Sequence, residues 1–589
     1  QVCRKYCRPA QRGGLMARAR LASRFETLSA GFARLRQNLT FSFYRSPFGR
    51  GLWRGVNEPT LFDYPADLRP GNALRGESWL AGDYSLRGGV LRGPGHLPFD
   101  MKPPSNAWRD SLHEFVWLPD VLAVANGGGH KAARHAILHW ALGPYLYQRA
   151  PMQPALVGRR LMRWAQALSE VKSGFDGQAL ARIHTSFSAQ TRWLAKLAGQ
   201  CDDGVDRLQS ALGLALAACA LPQQGQILRH AMDLLDREMR RQILPDGGHA
   251  SRNPSLLADL LADLLALEAV LQARQVALPP SIVAARQRMQ TLLTMLRHKD
   301  GRLGVFHGGL EGDLSALDAV VGKSGKHISF AQKSGYQRLD AGQSCVLVDV
   351  GDAPRGAHSI AAHAAPLAFE MSHGGDRLIV NCGPNLVHGT DWQLAARGLA
   401  AHSTLAFDAD VTDPFVRHGM AAKRLGPRVK GEAWQVTGRR VEDKTGIWLE
   451  TSHAIFLETH GVRHNRRFFI DAAGEDIRGE DLLLADMHHQ PLEGAPFHLR
   501  FHLHPQVKAS LQSGGDAVLL LTPNGHGWQF RLASDATEAL KIEESVYMGQ
   551  SGIPQRCQQL AVRGRLAHGD TLMRWALRHA GRQAARRRR

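Results

Sequence analysis

Residue types able to do chemistry gather in two stretches of this 589-residue chain. In residues 357–408, five histidines flank a short apolar hairpin: His358, His363, His373, His388 and His402. The hairpin reads LAFEMS, HGGD, RLIVNC, with Gly374–Gly375 at the turn, where both central residues can take positive φ. The second stretch is the loop Asp246–Pro254, which carries His249, Arg252 and Asn253 ahead of a leucine-rich run. Asn253 is a good N-cap and Pro254 suits the first helical position. The three polar groups therefore cluster at a helix N-terminus, where free backbone N–H groups favour an anion. Imidazoles offer proton transfer, and the loop offers a seat for negative charge. The plainer alternative is a helix cap with a loop histidine beside it.

The elements that must position these groups change texture midway. From Trp108 to about residue 298, helix follows helix. Residues 225–243 place Leu228, Met232, Leu235, Met239 and Ile243 on one stripe, and 256–271 repeat Leu at i, i+3 and i+4. Asp246-Gly247-Gly248 turns between those two helices, which predicts antiparallel helix hairpins with short loops. After about residue 326 come short β-rich runs set off by Gly and Asp: SCVLVDVGD, PLAFEMS, RLIVNC, GIWLETS, RRFFID, FHLRFHLHP, AVLLLT and GWQFRLA. Such spacing predicts a large antiparallel sandwich rather than a βαβ fold.

Length and composition agree with this division, since 589 residues exceed what one core organises. The net charge of +20 sits at the two ends. Residues 1–54 hold twelve Lys/Arg and one acid, and residues 574–589 hold seven Arg and no acid, leaving 54 bases and 52 acids between them. The body is thus nearly neutral, and no specific nucleic-acid partner is expected. Leu21, Phe25, Leu28, Phe32 and Leu35 recur at helical spacing among arginines, a basic amphipathic pattern suited to packing on its own domain or to peripheral membrane contact. Seven scattered cysteines with no CxxC pair read as reduced thiols. The sequence has no membrane-length apolar run and no signal peptide at its start, so the cytoplasm is the expected compartment. A different true start, with Met16 as one candidate, would reopen the periplasm. There is no phosphate loop, HExxH, nucleophile elbow or dinucleotide fingerprint.

The stretch AHSIAAHAAPLAFEMSHGGDRLIVNCGPN, followed by W-x₄-R and AAHSTLAFD, resembles the β-domain core of the heparinase II/III-like polysaccharide lyases. Their pattern there is H-x-H-x-D-x-L-x-F-E, LIVD-x-G and AHN. A helical half followed by an all-β half is also their layout, and the resemblance runs in order over roughly residues 40–575. It implies an N-terminal α/α toroid, an incomplete helical barrel, followed by a C-terminal antiparallel β-sandwich. The expected domains are a partly helical basic leader at 1–55, the toroid at 56–325, the sandwich at 326–573 and a disordered Arg-rich tail at 574–589.

The resemblance further implies β-elimination on an acidic, uronate-containing polysaccharide or oligosaccharide. In that reaction a base takes the C5 proton, an acid protonates the departing oxygen, and the uronate charge is neutralised. Carried onto this chain, His249 or His358 supplies proton transfer while Arg252 and Asn253 hold the carboxylate. His113, Tyr336, Trp392 and Arg397 are expected to bind sugar. His363, Asn381 and His402 occupy the positions that hold a structural zinc in relatives, and no cofactor is required for the reaction. Three family positions differ: Leu256 replaces the loop tyrosine, Gly204-Val205-Asp206-Arg207-Leu208 replaces G-N-H-x-L, and Ala361 replaces the first histidine of H-x-H. These losses support a second function class, a catalytically inactive glycan-binding or scaffold protein that retains the lyase fold. For the histidines of the hairpin, the alternative is a hydrogen-bonded network that braces the sheet.

Overall fold

A computed structural model describes residues 35–582, apart from 37, 54–60, 66, 126, 202, 223–224, 323–327, 409–412, 419–421, 423–425, 431–433 and 535–536. Of the expected leader at 1–55, residues 1–34 lie outside the described residues, and of the expected tail at 574–589, residues 583–589 do. Residues 574–582 are not a disordered tail: they continue the strand Thr571–Arg582, paired on both sides, so the sandwich runs past residue 573.

The helical half is an α/α toroid whose longest helices are Pro154–Val171, Gly177–Leu197, Val205–Ala220, Gly225–Gln242, Pro254–Ala273 and Pro280–Met295. Val205–Ala220 is apolar on nearly every side because it lies at the centre, buried from Ser210 to Ala220. It approaches Pro154–Val171 so closely that a Cβ on Gly213 would fall 2.5 Å from Gly158 Cα, which is why glycine stands there. Four buried tryptophans, Trp108, Trp140, Trp164 and Trp193, fill the space between the helices. The stripe expected over 225–243 forms the helix Gly225–Gln242.

The second half is a sandwich of two antiparallel sheets. The first runs Thr537–Tyr547, Gln555–Arg565, Pro496–Leu503, Asp376–Val380, Phe369–His373, Ser344–Asp349, Tyr336–Ala341 and Phe330–Ala331, with Leu405–Phe407 also paired to Pro496–Leu503. The second runs Thr437–Glu442, Gly446–His453, Val462–Asp471, Asp476–Ala485, Thr571–Arg582, His526–Ala533, Ala517–Leu521 and Lys508–Leu511. Phe369, Phe468, Phe501, Phe530 and Trp575 interdigitate between them. The HGGD turn forms as its sequence requires, with Gly374 at φ 53° and Gly375 at φ 88°.

The halves meet through buried polar contacts. Loops after the last long toroid helices reach the first sheet: His298 bonds Ser372 Oγ (2.9 Å) and Glu370 (3.1 Å), and Arg377 bonds Asp300 (2.8 Å). Tyr547 donates to Glu311.

Candidate functional site at the junction of the halves

Folding brings the three family stretches together. The 246–254 loop, Gly204 at the start of its helix and His358 on the turn Gly356–Ile360 converge. The rings of His249 and His358 lie 5.1 Å apart, edge to face, and a Cβ on Gly204 would come within 3.5 Å of the His358 ring.

Most of the groups gathered there are committed to the protein itself. His249 is buried between Ser251 Oγ (2.8 Å from Nδ1) and Gln242 Oε1 (3.1 Å from Nε2). Burial, with His358 beside it, pushes its pKa down to about 3. Gln242 is in turn held by Gly204 O and Glu238, both at 2.9 Å. A buried neutral imidazole with both nitrogens occupied is a poor base, so the expected proton-transfer role for His249 gives way to a structural one.

Arg252 departs furthest from expectation. A guanidinium has five N–H donors, and all five are used inside the protein. Nε donates to Ser334 O (2.7 Å), and Nη1 to Gly351 O (3.2 Å) and Asp352 O (3.0 Å). Nη2 donates to Gly335 O (2.9 Å) and to Asp349. Burial disfavours the charge, but the Asp349 carboxylate outweighs it and raises the pKa. No donor remains for a substrate carboxylate; an internal one takes that place. Asn253 likewise caps Pro254–Ala273, accepting from Leu256 N (3.0 Å) and donating to His307 O (3.1 Å).

The expected sugar contacts divide in the same way. His113 lies in the toroid core, where it accepts from Trp140 Nε1 (3.1 Å), and burial pushes its pKa to about 3. Tyr336 is buried, donates to Arg252 O, and has its pKa raised by that burial. Arg397 braces three carbonyls, Ala362 (2.9 Å), Pro427 (3.2 Å) and Ser359 (3.4 Å), and so fixes the turn that carries His358. His113 and Tyr336 are thus taken up in packing, and Arg397 spends three of its donors on bracing the turn. Trp392 alone of the four is well exposed, at 48%, on the short helix Thr390–Ala395.

The residues matching the family's zinc ligands form a hydrogen-bonded brace instead. His402 Nδ1 donates to Gly398 O (2.7 Å), so its Nε2 accepts from His363 Nδ1 (3.0 Å). Asn381 is spent on Glu370 Oε1 (3.1 Å), Val305 O (3.3 Å) and Ser403 N (3.0 Å). The neighbouring Cys382 thiol is pushed by burial to about 12, far from the thiolate a metal needs. Among the described residues no third histidine, cysteine or carboxylate joins His363 and His402 at ligand distance. The residues present do not fit the metal, and the network reading of these histidines describes them better.

Sequence reasoning missed His307, Asp349, His298 and Glu370, which form the core of the junction. His307 Nε2 bonds Asp349 (2.9 Å), and its Nδ1 accepts from His363 N (3.4 Å), linking the Arg252 pair to the histidine brace. Glu370 accepts from Asn381 N (2.9 Å), Val305 N (3.0 Å) and His298. Glu370 had a signal, being the closing glutamate of the family pattern; the others lie in loops or at strand ends with no periodicity to mark them.

One group at the junction stays unpaired. His358 is half-buried, its Nδ1 has no hydrogen-bond partner, and burial lowers its pKa. Asp203 and Arg241, paired with one another, act on its charge in opposite directions.

A toroid joined to an antiparallel sandwich in this order is the fold of heparinase III. Residues 323–576 match the model for the heparinase II/III-like C-terminal domain. The chain is similar to heparinase III (12% identity, TM-score 0.69, covering 93% of this chain and 90% of that one). It is also similar to a mutant of the heparan sulfate lyase HepC from Pedobacter heparinus (14% identity, TM-score 0.58, covering 96% and 91%). Over 534 residues it is 31% identical to FtsZ-localized protein C of Caulobacter vibrioides (strain NA1000 / CB15N), covering 88% of this chain and 90% of that protein. The chain belongs to the heparinase II/III-like family.

Proposed function

We propose that this chain uses the lyase fold as a binding scaffold that acts with FtsZ, and that it does not carry out β-elimination. The observation that carries the reading is the filled junction: all five donors of Arg252 and both nitrogens of His249 are bound by the protein's own groups. Elimination needs a free base, an acid and an unspent group facing the uronate. Leu256, Asp206 and Ala361 stand where the family has its tyrosine, histidine and first hairpin histidine. Support for the partner comes from the relative's name, which places that protein with FtsZ, and from the near full-length match to it.

The test has two arms. Purified full-length protein incubated with heparan sulfate, heparin, hyaluronan, chondroitin, alginate and polyglucuronate should give no ultraviolet rise from unsaturated uronate, and Leu256→Tyr should be equally silent. Purified FtsZ should be retained by the immobilised chain. One observation favours a rival reading as a lyase with an altered catalytic set: the unpartnered Nδ1 of half-buried His358. A rise in absorbance that His358→Ala abolishes would establish that reading and remove ours.

A further inference from the structure

Three histidines distant in sequence meet at one end of the sandwich: His373, His526 and His579. One ring nitrogen from each lies within 4.8 Å of the other two. His373 closes the strand Phe369–His373 of the first sheet, whereas His526 and His579 belong to the strands His526–Ala533 and Thr571–Arg582 of the second. We propose that these three imidazoles bind a divalent transition-metal ion, zinc, which ties the two sheets together at this end.

Four observations carry the assignment. The first is spacing: His526 Nδ1 and His579 Nε2 are 3.3 Å apart. Tetrahedral zinc with Zn–N of about 2.0–2.1 Å sets its ligand nitrogens roughly 3.3–3.4 Å apart, so one edge of the site has its bound dimension already. The second is tautomer. Ser344 Oγ donates to Gly474 O (2.6 Å), so it must accept from His373 Nδ1–H (2.8 Å), which leaves the lone pair on His373 Nε2.

The third is the group behind His579. Its Nδ1 faces the Glu475 carboxylate at 3.6 Å, a contact longer than a hydrogen bond whose negative charge favours the proton on Nδ1 and so the lone pair on Nε2. The fourth lies in the strands. The pairing of His526–Ala533 with Thr571–Arg582 shifts register between His526 and Trp528, and that of Phe369–His373 with Asp376–Val380 shifts between Met371 and Ser372. Bulges re-aim side chains, and these two immediately adjoin His526 and His373. The glycine turn after His373 lets the His526 ring pack close, because a Cβ on Gly374 would meet its Nε2 at 3.0 Å. His373 is buried while His526 and His579 are half-buried, so an ion can enter from solvent and keep one position for water.

Full-length protein stripped with EDTA should take up one zinc from ZnCl2 in a calorimetric titration. Its thermal unfolding midpoint should then rise by something on the order of 5 °C. His526→Ala and His579→Ala should each weaken binding about tenfold or more and lose the thermal shift, while His388→Ala should keep both. X-ray absorption on the wild-type zinc complex should show three imidazole nitrogens at about 2.0 Å and no sulfur, a reading that stands even where a variant folds poorly. No saturable zinc uptake would overturn the proposal. So would a sulfur ligand, or a His526→Ala/His579→Ala double variant that binds as tightly as wild type.

Discussion

Arg252 shows how one residue can match a family pattern and still do a different job. Its backbone is held at φ 59°, in the left-handed region that a non-glycine residue enters only at a cost of about 1–2 kcal/mol. Five hydrogen bonds, one of them the ion pair with Asp349, offset that cost and tie the 246–254 loop to the first sheet. Removing one partner of a buried pair leaves an uncompensated charge and costs about 3–5 kcal/mol. Asp349→Asn should therefore lower stability by that amount in urea unfolding, since it deprives both Arg252 and His307 of their carboxylate. A loss under about 1 kcal/mol would mean that the pair is not what holds the junction.

The helix Pro254–Ala273 starts where Asn253 caps it, and the cap also reaches across to His307 O. Replacing such a cap by alanine costs about 1 kcal/mol, and the lost crossing bond adds about another. Asn253→Ala should accordingly destabilise by about 2 kcal/mol, and Asn253→Asp should recover the capping share. A substrate-binding Asn253 would instead leave stability untouched and weaken retention of an acidic oligosaccharide. The same measurement thus separates the cap from the binding role.

Across the whole molecule, many histidines are buried and neutral. His113, His249 and His502 are pushed by burial to about 3 and His402 to about 4, against about 6.5 in an unfolded chain. Between those values the unfolded chain binds protons that the folded chain refuses, so stability rises with pH there and is lost as pH falls. Each such group contributes a slope of up to about 1.4 kcal/mol per pH unit. The urea midpoint should fall steeply from pH 6.5 towards pH 4, and His113→Gln, in which Gln can still accept from Trp140, should flatten that fall. A midpoint level down to pH 4 would mean that these rings are protonated in the folded state.

The sequence by itself determined the elements and their order. Helical stripes such as Leu228–Ile243, the Asn253-Pro254 start, the glycine turn and the eight named β runs all formed, because periodicity, capping and turn geometry act over a few residues. The same local text located the three stretches that meet at the junction. Only the tertiary structure decided what their side chains do. Whether Arg252 faces a sugar or Asp349, or His402 a metal or His363, depends on residues 97 and 39 positions away. Burial then sets protonation: Tyr336 and His249 look reactive in the text, but desolvation favours their neutral forms. The trio of His373, His526 and His579 was illegible for the same reason. Its members share no motif, and only the packing of two sheets makes them neighbours.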